Sequence, residues 1–193
     1  FKARSPSSGM ERVKVYGSSG MARNMGTGLF AQAFMDHFPL LPVEEEGRLH
    51  DPALRENFVE RVFVMRRWRA YREGTPTLGG LVAFHTMHKL LVMSHSIEAY
   101  RSLGRMVAEG KERVFDDLLA EYEAALLRAL KLPATRAKNT NVLQHAMGYL
   151  KKALTPDEKA ELLELIMAYR AGTTTLTVPM TLLNHYVRKL RVE

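Results

Sequence analysis

Three histidines and a lysine lie close together in the stretch Phe84–Val107, FHTMHKLLVMSHSIEAYRSLGRMV. At about 100° per residue, His85, His88, Lys89 and His95 fall within roughly 120° of the circumference of a predicted helix. The remainder of that helix is apolar, which predicts that it is buried and carries a single polar strip. Buried polar groups need hydrogen-bonding partners. The strip therefore either finds partners inside the protein or faces a ligand.

Three roles suit such a strip: an internal hydrogen-bond network, an anion- or nucleic-acid-binding site, and a metal site. The metal site is the least favoured, because His85 and His88 lack the i, i+4 spacing and the adjacent glutamate of a zinc-protease helix. The chain contains no cysteine, so it can form no disulfide and no thiolate metal site. The first two roles both stay open.

A second polar strip is predicted on a helix over residues 135–154, and it is rich in groups that bind RNA. If the two strips face one groove, Lys89, Lys138 and Lys152 could hold phosphates and Tyr149 could stack on a base. A net charge of +7 and a pI near 9.7 suit an anionic partner, although basic proteins without one are nearly as common. The residues predicted to contact RNA are His85, His88, Lys89, His95, Arg101, Lys138, Asn141, His145, Tyr149, Lys152 and His185. The basic helix Arg61–Arg72 is the alternative RNA contact.

The elements that position these residues change character at Gly74-Thr75-Pro76. Beyond this point the sequence shows only helical periodicity, which predicts an all-α bundle of about six helices over residues 75–193. Residues 1–73 resemble part of an α/β fold that ends in a connecting helix. The whole chain is therefore predicted to be mainly α. No apolar run approaches 18 residues and no secretory signal is present. We therefore expect a cytoplasmic location and no membrane span.

The N-terminal part is predicted to contain one strand, Met10–Tyr16, because its residues alternate between apolar and polar. A loop rich in glycine and serine, Gly17–Gly28, follows, and Thr27 is expected to cap a helix that runs to His37. Such a loop could cradle an anion on its N–H groups or could be an ordinary connection. Asp51 and Pro52 predict the start of the connecting helix.

Ordered motifs across residues 75–193 resemble the YbgA-like helical family, which has no assigned function. They include Phe84-His85-x-x-His88-Lys89-Leu90, Tyr100-Arg101-x-Leu103-Gly104, Asn139-x-Asn141-Val142-Leu143-Gln144-His145 and Val178-Pro179-x-Thr181-Leu182-Leu183-x-His185-Tyr186.

Residues 1–73 resemble the C-terminal part of a TudS-like desulfidase domain, on Lys2-x-x-Ser5-Pro6-Ser7-Ser8-Gly9 and on the run from Leu41 to Leu49. The fusion resembles enzymes that remove sulfur from 4-thiouridine in tRNA. That resemblance implies a four-iron four-sulfur cluster held by three cysteines in the intact enzyme. Ser8 occupies the position of one of them, either through an engineered change or through natural loss, and Ser5 matches a serine expected beside the substrate.

The other two cysteines would lie upstream of Phe1, and the chain, which does not begin with Met, is expected to be part of a longer protein. No cluster is expected on the chain as it stands. The functional expectation is an RNA desulfidase whose helical domain holds tRNA. A non-catalytic module that binds nucleic acid or nucleotide, and a structural adaptor, are the alternatives. The oligomeric state stays open.

Overall fold

The computed structural model describes residues 1–18 and 20–191, and over these residues the protein is mainly α, as predicted. The bounds are β1 (Val13–Tyr16), β2 (Ala22–Gly26), α1 (Leu29–His37), α2 (Pro52–Glu73), α3 (Leu78–His95), α4 (Ile97–Ala108), α5 (Phe115–Leu130), α6 (Arg136–Leu150), α7 (Pro156–Ala171) and α8 (Thr177–Leu190), with single 3₁₀ turns at Arg48–His50 and Gly110–Glu112. Six α-helices follow Thr75 in the described residues, and both strands precede it. None of the described helices is long and apolar enough to cross a membrane.

The segment predicted to be a loop, Gly17–Gly28, contains a strand that the sequence did not predict. β2 pairs antiparallel with β1, and the register places Tyr16 opposite Ala22 and Val15 opposite Arg23. Nearly all of β2 is exposed, so backbone hydrogen bonds form the strand without an apolar face. A strand with no buried face shows no alternation in its sequence, which explains why it was missed.

The predicted cap of α1 was also wrong, because Gly28 and not Thr27 occupies the cap position and no side chain bonds there. The first N–H groups of α1 instead donate to carbonyl oxygens of the Ser5–Gly9 loop: Leu29 N to Pro6 O at 3.2 Å, and Phe30 N to Ser7 O at 2.9 Å. The loop thereby takes the donors that an anion would need.

Three other helix starts are capped by side chains, and the first of them, at Asp51, was predicted. The carboxylate of Asp51 accepts from Ala53 N and Leu54 N at the start of α2. The hydroxyl of Ser96 accepts from Ala99 N and starts α4. Thr155 and Glu158 form a reciprocal capping box at α7.

The larger of two apolar cores lies between α2, α3, α4 and α5. The indole of Trp68, on α2, is fully buried and lies 5.3 Å from the ring of Tyr122 on α5 and 5.1 Å from that of Phe84 on α3, centroid to centroid. Val64 and Met65 of α2 join the same cluster. The connecting helix is thus packed into the helical body, even though it precedes the change in sequence character at Gly74.

The second core joins α6, α7 and α8 through Leu143, Leu150, Leu162, Ile166, Tyr169, Leu183 and Tyr186. α6 also packs against α3, so it links the two cores.

The stability of the protein should depend on the side chain of Leu162 in this second core and not on that of Leu163. Leu162 is fully buried and Leu163 is exposed. We expect Leu162→Ala to lower the free energy of unfolding by about 2–5 kcal/mol, because it removes buried methyl groups and leaves a cavity. Leu163→Ala should change it by less than about 0.5 kcal/mol. Urea denaturation followed by circular dichroism measures both, and equal losses would contradict the assigned core.

Candidate anion and nucleic-acid interface

The predicted polar strip of α3 is divided among three different neighbours. His85 faces α4 and α5, His88 faces α2, and His95 faces the connection between α5 and α6. The division arises because α3 packs against several helices, so side chains that lie within about 120° of each other around α3 contact different neighbours. The three histidines consequently do not form one surface.

His85 is buried, and its Nδ1 lies 3.0 Å from the hydroxyl of Tyr122. Burial lowers the pKa of His85 and the nearby charges of Lys89 and His88 lower it further, so the ring is neutral at pH 7. Burial also raises the pKa of Tyr122, whose hydroxyl stays protonated. The other ring nitrogen, Nε2, lies beneath Gly104, where a β-carbon would come within 3.8 Å of it.

That nitrogen opens onto a surface groove of about 670 Å³, here called the α3–α4 groove, which is lined by His85, Tyr100, Arg101, Gly104, Arg105 and Ala108. Arg101 and Arg105 are one helical turn apart and exposed, and neither forms an ion pair with a described residue. The groove therefore places two free guanidinium groups beside a ring nitrogen. Sequence reasoning included Arg101 but missed Tyr100 and Arg105, although the i, i+4 spacing of the arginines was visible.

Lys89 and Tyr149 form a side-chain contact between the two predicted strips. The ammonium of Lys89 lies 5.6 Å from the ring centroid of Tyr149, within cation–π range. Tyr149 is 59% exposed, so its ring is available for stacking. His145 and Lys152 are also exposed, and Lys152 lies just beyond the end of α6.

His88 has no ring nitrogen left for a ligand. Its Nδ1 lies 2.8 Å from the carbonyl oxygen of Phe84, and its Nε2 accepts from the Nε–H of Arg67 at 2.9 Å. A carbonyl only accepts, so Nδ1 carries the hydrogen. Burial lowers the pKa of His88 as well, and the ring stacks on Phe84. We assign His88 a structural role, in place of the predicted RNA contact.

Two residues of the second strip are also engaged internally. The ammonium of Lys138 donates to the carbonyl oxygens of His95 at 2.7 Å and Pro133 at 3.3 Å. The amide of Asn141 contacts the sulfur of Met93 at 3.6 Å. Both therefore fasten α6 to α3, and most of the donors on these two side chains are already engaged. His185 lies elsewhere, in a shallow depression on α8.

His95 is fully buried and lies away from the α3–α4 groove. Its Nδ1 contacts the carbonyl oxygen of Leu132 at 2.5 Å. Its Nε2 lies 3.4 Å from a carboxylate oxygen of Glu60, but the geometry is not that of a hydrogen bond. His95 is one of the residues that line a second, partly open cavity.

Ser5 and Ser8, the residues matched to the desulfidase resemblance, lie in a tight turn of the N-terminal part. The hydroxyl oxygen of Ser5 accepts from the N–H groups of Ser7 at 3.3 Å and Ser8 at 3.2 Å. An iron–sulfur cluster of the implied type needs three thiolates, and this chain has no cysteine, so the residues present do not fit that group. The described residues also contain no group of three or more His, Asp or Glu side chains arranged to hold a metal ion.

A family model described as "Protein of unknown function (DUF1722)" matches residues 89–193. The chain belongs to the DUF1722 family. It is also similar to the uncharacterized protein YbgA of Escherichia coli (strain K12), with 32% identity over 128 residues, which cover 66% of this chain and 76% of YbgA. No solved structure matches.

The family match confirms the resemblance of the helical part to YbgA. It begins inside α3 at Lys89 and includes Arg101, Arg105 and Tyr149. More than half of α3 and all of α2 precede the match, yet both pack into the same core as the DUF1722 helices.

The buried histidines predict a stability that falls as the pH falls. His85 and His88 have lowered pKa values in the folded protein, so below about pH 6.5 the unfolded chain binds more protons than the folded one. Each histidine then removes at most about 1.4 kcal/mol per pH unit. We expect a His85→Gln/His88→Gln variant to lose less stability than the natural chain between pH 7.5 and 5.5, measured by urea denaturation.

His145→Gln is the matched control, because His145 is exposed and makes no hydrogen bond with a described residue. Its pH dependence should equal that of the natural chain. Parallel curves for all three proteins would show that the buried histidines do not set the pH dependence.

Lys138 and Lys152 should differ in their effect on stability. Lys138→Ala removes two charge-assisted hydrogen bonds to carbonyl oxygens, and we expect a loss of about 1–3 kcal/mol. Lys152→Ala removes an exposed side chain and should change the free energy of unfolding by less than about 0.5 kcal/mol. Thermal unfolding of both variants measures the difference, and a Lys138→Ala protein as stable as Lys152→Ala would argue against the described contacts.

Proposed function

We propose that the α3–α4 groove binds the phosphate backbone of RNA, and that this chain is the RNA-binding part of a tRNA thiouridine desulfidase. The observation that supports the first half is the combination, in one open groove, of two unpaired arginines with the accessible nitrogen of His85. An anion that filled the groove would meet donors from three side chains.

Each group in the groove suits a particular part of a nucleotide. The guanidinium groups of Arg101 and Arg105 can bind phosphate oxygens in a bidentate manner. If the hydroxyl of Tyr122 donates to Nδ1 of His85, Nε2 carries the hydrogen and can donate to a third oxygen. Lys89, whose charge acts on His85, adds a further cation. It also contacts the ring of Tyr149, on which an unpaired base could stack.

The second half of the proposal depends on the resemblance of residues 1–73 to a TudS-like domain. One structural feature supports it: β1, β2, α1 and the β1–β2 connection expose several large apolar side chains, namely Val15, Tyr16, Met21, Met25, Leu29 and Phe30. A two-stranded sheet is marginally stable alone, and exposed apolar patches usually contact more protein. The N-terminal part is accordingly proposed to belong to a larger α/β domain.

Within this proposal, removal of sulfur belongs to the intact protein that carries the cluster cysteines. The chain as it stands would bind tRNA and leave the thiouridine unchanged. Mixing it with thiolated tRNA and following the thiouridine absorbance tests this statement. Loss of the thiocarbonyl in the presence of this chain alone would contradict the assigned division of labour.

The groove is tested by Arg101→Ala/Arg105→Ala in a tRNA-binding assay by fluorescence anisotropy. We expect affinity to fall by roughly tenfold or more, since each lost charged hydrogen bond is worth about 1.5–3 kcal/mol. The plot of log affinity against log salt should become shallower by roughly 1.4–1.8, because two fewer counterions are released on binding.

Arg170→Ala/Arg188→Ala is the matched control, because both arginines are exposed, have no ion pair with a described residue and lie outside the groove. It removes the same net charge and should change the salt slope less. Equal effects of the two double variants would remove the groove from the proposal and leave α2, with its exposed Arg66 and Arg69, as the RNA contact.

A further inference from the structure

A second candidate site lies in a partly open cavity of about 480 Å³, here called the seam cavity. It lies between the N-terminal part, the first half of α2, the end of α3 and the α5–α6 connection. Its charged and polar lining residues include Glu44, Arg48, Glu56, Asn57, Glu60, Arg61, His95, Lys131 and Asn139. None of them belongs to the α3–α4 groove.

Arg61 is the most unusual of these residues. It is only 8% exposed, it borders the cavity, and its guanidinium forms no hydrogen bond or ion pair with any described residue. The carboxylate of Glu44 is near enough to influence it, but that carboxylate is bound at 2.6 Å by Arg48. Arginine stays charged in proteins, and its guanidinium carries five N–H donors. The nitrogens of Arg61 are not among the fully buried unpaired atoms, so they reach the solvent of the cavity, where an anion could accept from them.

Lys131 adds a second cation to the same wall. Its ammonium donates to the carbonyl oxygen of Pro39 at 2.7 Å, which leaves two N–H donors free. Burial lowers the pKa of Lys131, and the charge of Arg61 lowers it further, so the two cations are close enough to repel one another. An anion between them would reverse this repulsion.

The cavity lining also supplies acceptors, and Asn57 lies one helical turn from Arg61 on α2. The amide nitrogen of Asn57 donates to the carbonyl oxygen of Leu130, which leaves its side-chain oxygen free. Asn139 likewise donates to the hydroxyl of Tyr169 and keeps its oxygen. His95 carries its hydrogen on Nδ1, towards the carbonyl oxygen of Leu132, so its buried Nε2 is an acceptor without a partner.

We propose that the seam cavity binds a nucleoside monophosphate, with the phosphate on Arg61 and Lys131 and with sugar hydroxyl or base N–H groups facing Asn57 and Asn139. The volume lies in the range of small-molecule sites and is too small for a folded polymer. The phosphate could belong to a free nucleotide or to the terminal nucleotide of an RNA strand. The proposal does not depend on the function proposed for the α3–α4 groove.

Calorimetry on the whole chain tests this site with uridine monophosphate, adenosine monophosphate, uridine and inorganic phosphate. We expect at least one nucleotide to bind with one site per chain and at least tenfold more tightly than its nucleoside or inorganic phosphate. Binding by none of these, or equal binding of nucleoside and nucleotide, would overturn the proposal without the need for a variant.

Arg61→Gln should weaken nucleotide binding at least tenfold while the ligand-free protein keeps its thermal stability, because the lost charge has no protein partner. Arg72→Gln, an exposed arginine at the end of the same helix, is the matched control and should bind as the natural chain does. Unchanged binding by Arg61→Gln would overturn the proposal. So would a Tm well below that of Arg72→Gln, since it would mean that the protein itself satisfies Arg61.

The two sources of phosphate are separated with oligonucleotides that carry a 5′-phosphate or a 5′-hydroxyl, in the Arg101→Ala/Arg105→Ala background. Preference for the 5′-phosphate, lost on Arg61→Gln, assigns the site to an RNA end. Nucleotide binding without that preference assigns it to a free nucleotide. Both outcomes support nucleotide binding in the seam cavity. If the Arg101→Ala/Arg105→Ala variant bound tRNA as well as the natural chain does, the groove proposal would fail, but the test of nucleotide binding in the cavity would still hold.

Discussion

The enclosure of α3 by neighbouring helices is the constraint on which the candidate sites depend. Trp68 of α2 and Tyr122 of α5 stack on one another and contact Phe84 of α3, so the three helices share one aromatic core. The second half of α3 is therefore largely buried, whereas its first half keeps one exposed face at Val82, Ala83, Thr86 and Met87. Each polar group on it must then be satisfied by whichever neighbour it meets, because an unsatisfied buried group costs about 1–3 kcal/mol.

This constraint explains why the three histidines have different environments. His88 meets Arg67 and is fully bonded, which makes it part of the scaffold. His85 meets Tyr122 on one side and an open groove on the other. His95 lies at the end of α3, where the N-terminal part closes over the helices, and keeps one nitrogen unpaired. On α3, the histidines that are not fully bonded are thus the two that line a groove or a cavity, which is where ligands bind proteins.

The two candidate sites differ in a way that suits two kinds of anionic ligand. The α3–α4 groove is open, and its arginines are exposed, so a long polyanion could pass along it. The seam cavity is more enclosed, and its arginine is buried, so it would select a small anion and bind it in a less polar environment. Buried charge interactions are screened less by salt than exposed ones. The DUF1722 helices contribute to both sites, whereas α2 contributes only to the cavity.

The sequence by itself determined the helices, because periodicity, prolines and caps such as Ser96 and Thr155 act within a few residues of the chain. It also determined the family, since the order and spacing of motifs can be compared without knowing which residues are in contact. It could not predict β2, whose partner is its only support, or the roles of Lys138 and Arg61, which depend on distant carbonyls and on burial. A helical wheel gives the direction of a side chain but not its neighbour. Only the tertiary structure decided that one predicted strip serves a scaffold, a groove and a cavity.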